Sequence, residues 1–360
     1  MTPAHNAPRL LVEPFCGMAA LSFGCMGAKP PISWMGGKAG YIRVLMELLG
    51  LSRHHPPAAY IWGDVGPNVA ALACLSGAGG DARDVAGWLT TCRRSWKGQP
   101  ECGFLPRETI IGPKSHAGDW RYAPDAPAED VAPLPLPRAA EVAAIIRGWK
   151  DEEPRALWTR LKAAGWPSLM PVEGGRWLGP QSVEEVAGWF ASSELAARGD
   201  PAAGYAGEQE RYDAGKCWTK PNIRGVADAI DTLPARWPRV ACYQGTATWL
   251  VEQLTERLDN VIAYLDPPYS GTTGYKFGDC PREEVLRLAL DLHGRGATVA
   301  ISEAVRLDRE LGEGWHAVQI DGERRGQKRT FSVQQHEWVT MNRRPAQVPG
   351  QQQGLFGGAR

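Results

Sequence analysis

The sequence has no apolar run that approaches the ~20 residues needed to span a bilayer, so it predicts no membrane segment. Eight cysteines are scattered without a Cys-x-x-Cys pair, which argues against a zinc site and favours reduced thiols. The N-terminus has no signal-peptide pattern, and we therefore expect a cytoplasmic protein. There is also no excess charge, since 40 basic residues balance 40 acidic ones. Any binding to nucleic acid must then depend on local basic clusters.

Strands and helices alternate at both ends of the chain. Short apolar runs predict strands at residues 9–13, 58–62, 239–243, 260–266 and 297–302, followed by a closing pair at 315–320 and 336–342. Apolar residues at helical spacing lie between most of these strands. The pattern predicts an α/β fold with a Rossmann-like, mostly parallel sheet and an antiparallel hairpin at its edge.

A long insertion separates the second strand from the third. From residue 77 to residue 212 apolar runs are short, proline, glycine and tryptophan are frequent, and helices are expected at 83–92, 139–150, 155–164 and 183–198. We expect one domain formed by residues 1–76 and 213–344, and a mainly helical inserted domain formed by residues 77–212. The last residues, 345–360, are polar and rich in glycine, which predicts a flexible tail.

The most informative motif is Asp266-Pro267-Pro268-Tyr269. It follows the apolar run Val261–Leu265, so it lies where a strand of an open α/β sheet ends and where such sheets build their sites. Two consecutive prolines fix the backbone and remove two N–H donors. The turn then presents a carboxylate, a backbone carbonyl and an aromatic ring together, which suits a planar ring with an exocyclic amino group. A rigid acidic turn on the surface is the alternative.

A second motif, Val12-Glu13-Pro14-Phe15-Cys16-Gly17, connects the first strand to a helix through a glycine-containing turn. Such a turn lets a ligand approach the backbone closely, although many α/β proteins use one for structure alone. Asp64 stands at the end of the second strand, where an acid can accept hydrogen bonds from ribose hydroxyls. Asp64 could equally cap the helix that follows.

Together these motifs resemble the Dam-like N6-adenine DNA methyltransferases over residues 9–75 and 205–342. The first motif resembles that family's S-adenosylmethionine loop, Trp62-Gly63-Asp64-Val65 its ribose-binding strand end, and Trp34-Met35-Gly36-Gly37-Lys38 its Trp-x-Gly-Gly-Lys motif. The resemblance implies S-adenosylmethionine as the cofactor, and as cofactor-binding residues it implies Glu13, Pro14, Phe15, Gly17, Trp34, Lys38, Asp64 and Asp266. As the catalytic residues it implies Asp266, Pro267, Pro268 and Tyr269.

The sequence departs from the family pattern at two places. Ala19 occupies a position where the family usually has glycine, which is tolerable if the backbone there is already helical. The Trp34–Lys38 segment follows the cofactor loop, whereas the family carries it before that loop. The segment can still complete the pocket if it folds back over the cofactor.

The first residue of the tetrapeptide indicates, by resemblance, the target base. Asp266 favours adenine N6, whereas serine at that place is typical of enzymes that methylate cytosine N4. The resemblance therefore implies methyl transfer to adenine in a specific DNA sequence by a bacterial or phage enzyme that acts as a monomer. The target base would flip into the tetrapeptide pocket. The alternatives are cytosine-N4 methylation and a DNA-binding module on a decayed methylase fold.

Two basic clusters are candidates for contacts with double-stranded DNA. The insertion contributes Arg93, Arg94 and Lys97, and the loop of the closing hairpin contributes Arg324, Arg325, Lys328 and Arg329. Both clusters could neutralise phosphates. Solvated surface charge is the alternative for either cluster.

The tail contains a possible docking peptide, Gln352-Gln353-Gly354-Leu355-Phe356. It resembles the short peptides that bind bacterial sliding clamps, and Gln352, Leu355 and Phe356 would be its anchors. A flexible tail with two apolar anchors is suited to such docking. A sliding clamp is therefore a second expected partner.

Overall fold

The computed structural model describes residues 10–32, 38–64, 68–76, 111–113, 120–122, 138–164, 183–196, 205, 222–233, 239–244, 246–254, 257–269, 280–320 and 336–344. Its strands are β1 (Leu10–Glu13), β2 (Ala59–Asp64), β3 (Ile111–Pro113), β4 (Trp120–Tyr122), β5 (Arg239–Gln244), β6 (Val261–Leu265), β7 (Thr298–Glu303), β8 (His316–Gln319) and β9 (Trp338–Met341). Its helices are α1 (Ala20–Cys25), α2 (Ile42–Leu49), α3 (Asn68–Ser76), α4 (Ala139–Gly148), α5 (Pro154–Ala163), α6 (Val183–Leu195), α7 (Ile223–Asp231), α8 (Ala247–Gln253), α9 (Arg282–Gly294) and α10 (Asp308–Leu311). A short 3₁₀ helix, Ala39–Tyr41, precedes α2.

Within the described residues, seven strands form one sheet in the order β5-β2-β1-β6-β7-β9-β8. Strands β5, β2, β1, β6 and β7 are parallel, and β9 runs antiparallel to both β7 and β8. The expected mostly parallel α/β sheet with an antiparallel edge hairpin is therefore confirmed. The chain goes from β1 to β2 on one side and later returns to β6 on the other, so the strand order reverses beside β1. Ligands of open α/β sheets bind in the crevice at such a reversal.

Alternating side chains of the central strands feed two apolar layers, one on each face of the sheet. Leu11, Tyr60 and Trp62 belong to the layer that includes helices α1 to α7. Leu10 and Val12 belong to the opposite layer, which includes helices α8 to α10. Both faces are covered by helices, as a parallel sheet requires. Glu13 follows the spacing of Leu11 and so faces α1.

The described helices of the middle segment belong to the same apolar layer as α3 and α7, on one face of the sheet. Val142 of α4, Leu157 of α5 and Trp189 of α6 are fully buried in the same apolar cluster as Leu72 of α3 and Val226 of α7. The segment also contains an antiparallel hairpin, β3–β4, which the sequence pattern did not predict. The division into a catalytic and an inserted domain stays a prediction. The helix expected at 83–92 lies outside the described residues.

Among the described residues, no helix combines the length and apolarity that a membrane crossing would require.

Candidate active site

The carboxyl ends of three adjacent parallel strands bring three acids to one edge of the sheet. Glu13 ends β1, Asp64 ends β2, and Asp266 follows the last residue of β6. The register pairs Glu13 with Trp62, and Val12 with Ala263, so the strands end close to the same level. This edge lies beside the reversal of strand order, where the fold is expected to hold a ligand.

The loop after β1 is tied to the end of β2. The Cys16 amide donates to the Gly63 carbonyl over 2.8 Å, and the Gly17 amide donates to Asp64 Oδ2 over 2.8 Å. The Asn68 side-chain amide donates to the Gly17 carbonyl. Gly17 has φ 49°, a left-handed conformation that glycine adopts without strain. Asp64 therefore anchors this loop, and helix α3 begins only at Asn68, which disfavours the capping role for Asp64.

Ala19 adopts a left-handed backbone with φ 49° and ψ 43° immediately before α1. The condition under which alanine would be tolerated here without cost, a backbone that is already helical, is therefore not met. A left-handed residue ends the turn and lets the chain enter α1, and its Cβ crowds the following carbonyl. Ala19 is fully buried. The family's glycine would meet the same backbone conformation without that steric cost.

Glu13 is a buried carboxyl group that faces helix α1. Its Oε2 accepts hydrogen bonds from the Ser22 amide at 3.3 Å and from the Ser22 hydroxyl. The Trp62 indole N–H in turn donates to the Ser22 hydroxyl over 2.8 Å. Burial raises the pKa of Glu13 to about 7, although the bonds from Ser22 oppose the shift. Glu13 thus links β1, α1 and β2 beneath the loop.

Asp266 is paired with a lysine from a distant part of the chain. The Lys38 ammonium lies 2.7 Å from Asp266 Oδ1, and both side chains are mostly buried. The same ammonium lies 3.6 Å from Glu337 Oε1. Lys38 therefore sits between two carboxylates, one from the turn after β6 and one from the residue before β9.

Tyr269 completes this cluster of four side chains. The Lys38 ammonium lies 4.6 Å from the centroid of the Tyr269 ring, a cation–π arrangement. The Tyr269 hydroxyl donates a hydrogen bond to Glu337 Oε1. The ring is thereby held at both its face and its hydroxyl. We call Lys38, Asp266, Tyr269 and Glu337 the acid–lysine cluster.

Burial and charge act against each other inside the acid–lysine cluster. Burial raises the pKa of Asp266 to about 6, Lys38 opposes the shift, and the nearby Glu337 charge adds to it. Burial alone would lower the pKa of Lys38, but Asp266 and Glu337 together outweigh it and the pKa is raised. The lysine therefore stays charged at neutral pH, and its ammonium favours the ionised form of Asp266.

Two further polar groups support the strands beneath the cluster. The Tyr264 hydroxyl of β6 lies 2.7 Å from the Ser302 hydroxyl of β7, and both residues are buried. Glu303, which ends β7, is 6 % exposed, and burial raises its pKa to about 7. The Tyr264–Ser302 hydrogen bond links β6 to β7 where the tetrapeptide begins.

The groups at this edge fit S-adenosylmethionine, which carries a sulfonium, an amino group and ribose hydroxyls. Asp64 and Asp266 supply carboxylate acceptors for donors and for positive charge. Half-buried Phe15 supplies an apolar surface beside the β1 loop. Asn68 Oδ1 is buried and has no hydrogen-bond partner among the described residues, so an acceptor remains next to Gly17. These acceptors and the apolar ring are compatible with the cofactor that the resemblance implies.

The structure brings together most of the residues expected at the site. Glu13, Pro14, Phe15, Gly17, Lys38, Asp64 and Asp266 to Tyr269 all lie in strand ends or loops at the carboxyl edge. The displaced motif does reach the site through Lys38, since the segment before α2 returns to this edge. The positions that lie outside the described residues are Trp34, Arg93, Arg94, Lys97, Arg324, Arg325, Lys328, Arg329, Gln352, Leu355 and Phe356.

Three polar residues of the site were not among the expected ones. Ser22 and Asn68 bind Glu13 and the β1 loop, and Glu337 joins the acid–lysine cluster. Glu337 lies at the start of the strand predicted at 336–342 and directly precedes the observed strand β9 of the edge hairpin. An antiparallel strand starts where its parallel neighbours end, so this position could have indicated the site.

No family model and no curated protein sequence matches the chain. The resemblance to the Dam-like methyltransferases therefore depends on the motifs themselves and on the arrangement of their residues.

Proposed function

We propose that this protein transfers a methyl group from S-adenosylmethionine to the exocyclic N6 of adenine in DNA. The proposal depends on one observation, which is the arrangement of side chains around the ammonium nitrogen of Lys38. The Lys38 ammonium is bonded to the Asp266 carboxylate at 2.7 Å and faces the Tyr269 ring at 4.6 Å. A carboxylate and an aromatic face arranged around an N–H group are what recognition of an amino-bearing base requires.

The fold and the β1 loop support the cofactor part of the proposal. Gly17, Asp64 and Asn68 form a hydrogen-bonded loop at the reversal of strand order, where such sheets bind nucleotide-like ligands. Asp64 and the β1 loop would hold the ribose and amino groups. When bound, S-adenosylmethionine supplies an electrophilic methyl group on a positively charged sulfur.

Asp266 and Pro267 would prepare the adenine nitrogen for attack. The N6 lone pair is delocalised into the ring, so the amino group is a poor nucleophile. The Asp266 carboxylate and the Pro267 carbonyl can accept its two hydrogens and favour a pyramidal nitrogen with a free lone pair. The tetrapeptide does not form a covalent adduct in this scheme, and its contribution is orientation and electrostatic stabilisation.

Tyr269 would stack on the base after it leaves the duplex. An adenine inside a helix cannot reach a pocket at a sheet edge, so the nucleotide must flip out. Stacking on an aromatic ring is worth ~1–3 kcal/mol per base, which offsets part of the cost of unstacking. Target specificity would belong to residues 77–212, and phosphate contacts to the two basic clusters of the sequence.

The proposal is tested by sequencing the modified bases of plasmid DNA from cells that express the protein, and by methyl incorporation with the purified protein. We expect N6-methyladenine in one short sequence context. Asp266→Ala is expected to lower the methylation rate by about 100-fold or more and to leave S-adenosylmethionine affinity within a few-fold, since the electrostatic contribution is lost. Asp151→Ala is the matched control because that carboxylate is exposed and lies in the turn between α4 and α5.

Two outcomes would contradict the proposal. One is a wild-type protein that binds DNA but neither binds S-adenosylmethionine nor modifies any base. The other is an Asp266→Ala variant with undiminished activity. N4-methylcytosine in place of N6-methyladenine would keep the reaction class but change the base.

A further inference from the structure

We propose that Glu337 is a positioning residue of the site, which receives the Lys38 ammonium when a substrate amino group takes the place of that ammonium at Asp266. This inference rests on the proposed function. It adds a residue and a step that the tetrapeptide and the cofactor loop do not contain. Glu337 acts through Lys38 and Tyr269 and does not itself contact the reacting atoms.

The position of Glu337 is fixed by the edge hairpin. Its backbone carbonyl accepts a hydrogen bond from the Ile320 amide at 2.8 Å, and Trp338 pairs with both Glu303 and Gln319. Strand β9 is antiparallel to β7, so its first residues lie at the carboxyl edge of the parallel strands. The side chain of Glu337 is 11 % exposed and is directed to Lys38 and Tyr269. Glu337 therefore belongs to the site by topology as well as by contact.

Lys38 occupies the position that the substrate amino group needs. Its ammonium is bonded to Asp266 and lies over the ring of Tyr269. A base that stacks on Tyr269 and donates its N–H groups to Asp266 requires the same carboxylate and the same ring face. The base and the lysine thus compete, and Lys38 must move before the proposed reaction can occur.

A displaced Lys38 still needs a partner for its charge. The residue is 5 % exposed, and a buried ammonium without a counter-charge is strongly unfavourable. Glu337 Oε1 lies 3.6 Å from the ammonium, against 2.7 Å for Asp266 Oδ1. The ammonium is therefore already within salt-bridge distance of a second carboxylate, and a movement towards Glu337 keeps it paired with a negative charge.

Glu337 also keeps Tyr269 in place during this exchange. The tyrosine loses the ammonium from its face when Lys38 moves, and the hydrogen bond from its hydroxyl to Glu337 remains. The ring is then still fixed at its hydroxyl, which keeps it oriented for stacking. One carboxylate thus serves both the leaving lysine and the ring that receives the base.

The test is a double-substitution cycle with Glu337→Gln and Lys38→Met. Glutamine has the shape of glutamate and still accepts the Tyr269 hydroxyl, but it cannot neutralise the lysine. We expect Glu337→Gln to lower the single-turnover methylation rate about ten-fold in the presence of Lys38 and less than about two-fold in the Lys38→Met protein, because contacting residues act together. Glu337→Gln by itself is expected to leave the affinities for S-adenosylmethionine and for DNA unchanged.

Further variants separate this role from a general effect on stability. Glu337→Asp keeps the charge and is expected to retain more activity than Glu337→Gln, although it loses more packing. Glu313→Gln makes the same chemical change on an exposed residue before β8, at the opposite edge of the sheet, and is expected to match wild type. Thermal unfolding of each variant checks that the fold is kept.

The outcomes separate the inference from the proposed function. A wild-type protein without methyl transfer overturns the proposed function and the exchange with it. An active wild-type protein whose rate is insensitive to Glu337→Gln overturns the inference alone. An equal loss in the presence and absence of Lys38 does so too, because it assigns Glu337 a structural effect that is independent of the lysine.

Discussion

Glu13 is the residue whose burial most clearly lowers the stability of the folded protein. A carboxyl group that is 2 % exposed loses the water that would stabilise its charge. The bonds from Ser22 compensate only in part, and burial leaves the pKa of Glu13 at about 7 instead of 4.5. The same hydrogen bonds orient α1 against β1 directly beneath the β1 loop. Glu13 is therefore expected to reduce stability at neutral pH, while its hydrogen bonds keep the β1 loop in a defined position.

The cost at Glu13 predicts a pH-dependent effect of Glu13→Gln. Between pH 4.5 and about 7 the unfolded chain releases this proton while the folded protein keeps it, so wild-type stability falls as the pH rises. A shift of this size corresponds to roughly 3 kcal/mol at most. We expect Glu13→Gln to be more stable than wild type at about pH 8 and equal to it at about pH 4, where the carboxyl is neutral in both states.

Urea unfolding at the two pH values measures this difference. Glu313→Gln, an exposed replacement of the same kind, is the control and should show no such dependence. A Glu13→Gln protein that is less stable than wild type at the higher pH would contradict the assignment, since it would mean that the ionised carboxylate is favoured in the fold.

In the turn between β1 and α1, the backbone conformation of Ala19 lowers stability, whereas the burial of its side chain raises it. A left-handed alanine costs roughly 1–2 kcal/mol, because its Cβ approaches the following carbonyl. Ala19 nevertheless buries its methyl group completely, which is worth about 0.8 kcal/mol. The turn therefore combines a small strain with a small packing gain.

This balance predicts an unusual ranking of substitutions at Ala19. Ala19→Gly relieves the strain but loses the methyl group and stiffness in the unfolded chain, so unfolding free energy should change by less than about 1 kcal/mol. Ala19→Val adds a branched side chain to a buried left-handed position and should cost at least about 2 kcal/mol. Chemical denaturation of both variants measures these values.

Ala163 supplies the matched control for this ranking. It is exposed at the end of α5, where glycine is less favourable than valine by helix propensity. Gly should therefore be the better replacement at residue 19 and the worse one at residue 163. The same order at both positions would show that the left-handed backbone does not determine the effect at Ala19.

The elements differ in how far their sequence predicts them. The apolar runs of β1, β2, β6 and β7 gave their positions because each buried strand is a local pattern. The hairpin β3–β4 was missed because three-residue strands, one of which ends in Pro113, have no alternation to detect. The left-handed backbone of Ala19 could not be predicted, because a single positive φ angle depends on how the turn is held by Cys16 and Asp64.

The acid–lysine cluster could be predicted only in part, for the same reason. The tetrapeptide predicts that Asp266 and Tyr269 belong to the site, because its residue types and its position at a strand end suffice for this prediction. Lys38 was expected at the site through its motif, but its pairing with Asp266 and with Glu337 depends on long-range packing and on the antiparallel strand β9, which the motifs alone do not specify. The prediction of the site was therefore best where its residues are adjacent in the sequence.

At the scale of the whole molecule, the candidate site and the expected DNA contacts differ in the sign of their charge. The described carboxyl edge carries the acids Glu13, Asp64, Asp266 and Glu337 around one lysine. Such an edge does not attract phosphates. The chain leaves β8 at Gln319 and enters β9 at Trp338, which are paired at this same edge. The basic segment between them thus starts and ends beside the site.

This arrangement predicts that Arg324→Gln/Arg325→Gln weakens DNA binding without affecting the cofactor. Each lost phosphate contact should lower the slope of log affinity against log salt by ~0.9, so the double variant should lose up to about two units of slope. Titration of a DNA duplex at several salt concentrations measures the slope, and calorimetry measures S-adenosylmethionine binding.

Arg53→Gln/Arg257→Gln is the control for the loss of two positive charges. Both residues are exposed and precede strands β2 and β6, at the opposite edge of the sheet. This variant should keep the wild-type slope. Equal slopes for the two double variants and the wild-type protein would assign the DNA contacts to another part of the surface.

The antiparallel strand β9 also determines when the site can first exist during synthesis. Lys38 and Asp266 leave the ribosome well before Glu337, and Trp338–Met341 must still pair with β7 and β8 to hold that glutamate in place. Contacts between residues so distant in the chain form late, because the intervening segment must first be ordered. A nascent chain that already has its five parallel strands would therefore still have an unfinished site, and the proposed activity would begin only after β9 has been made and paired.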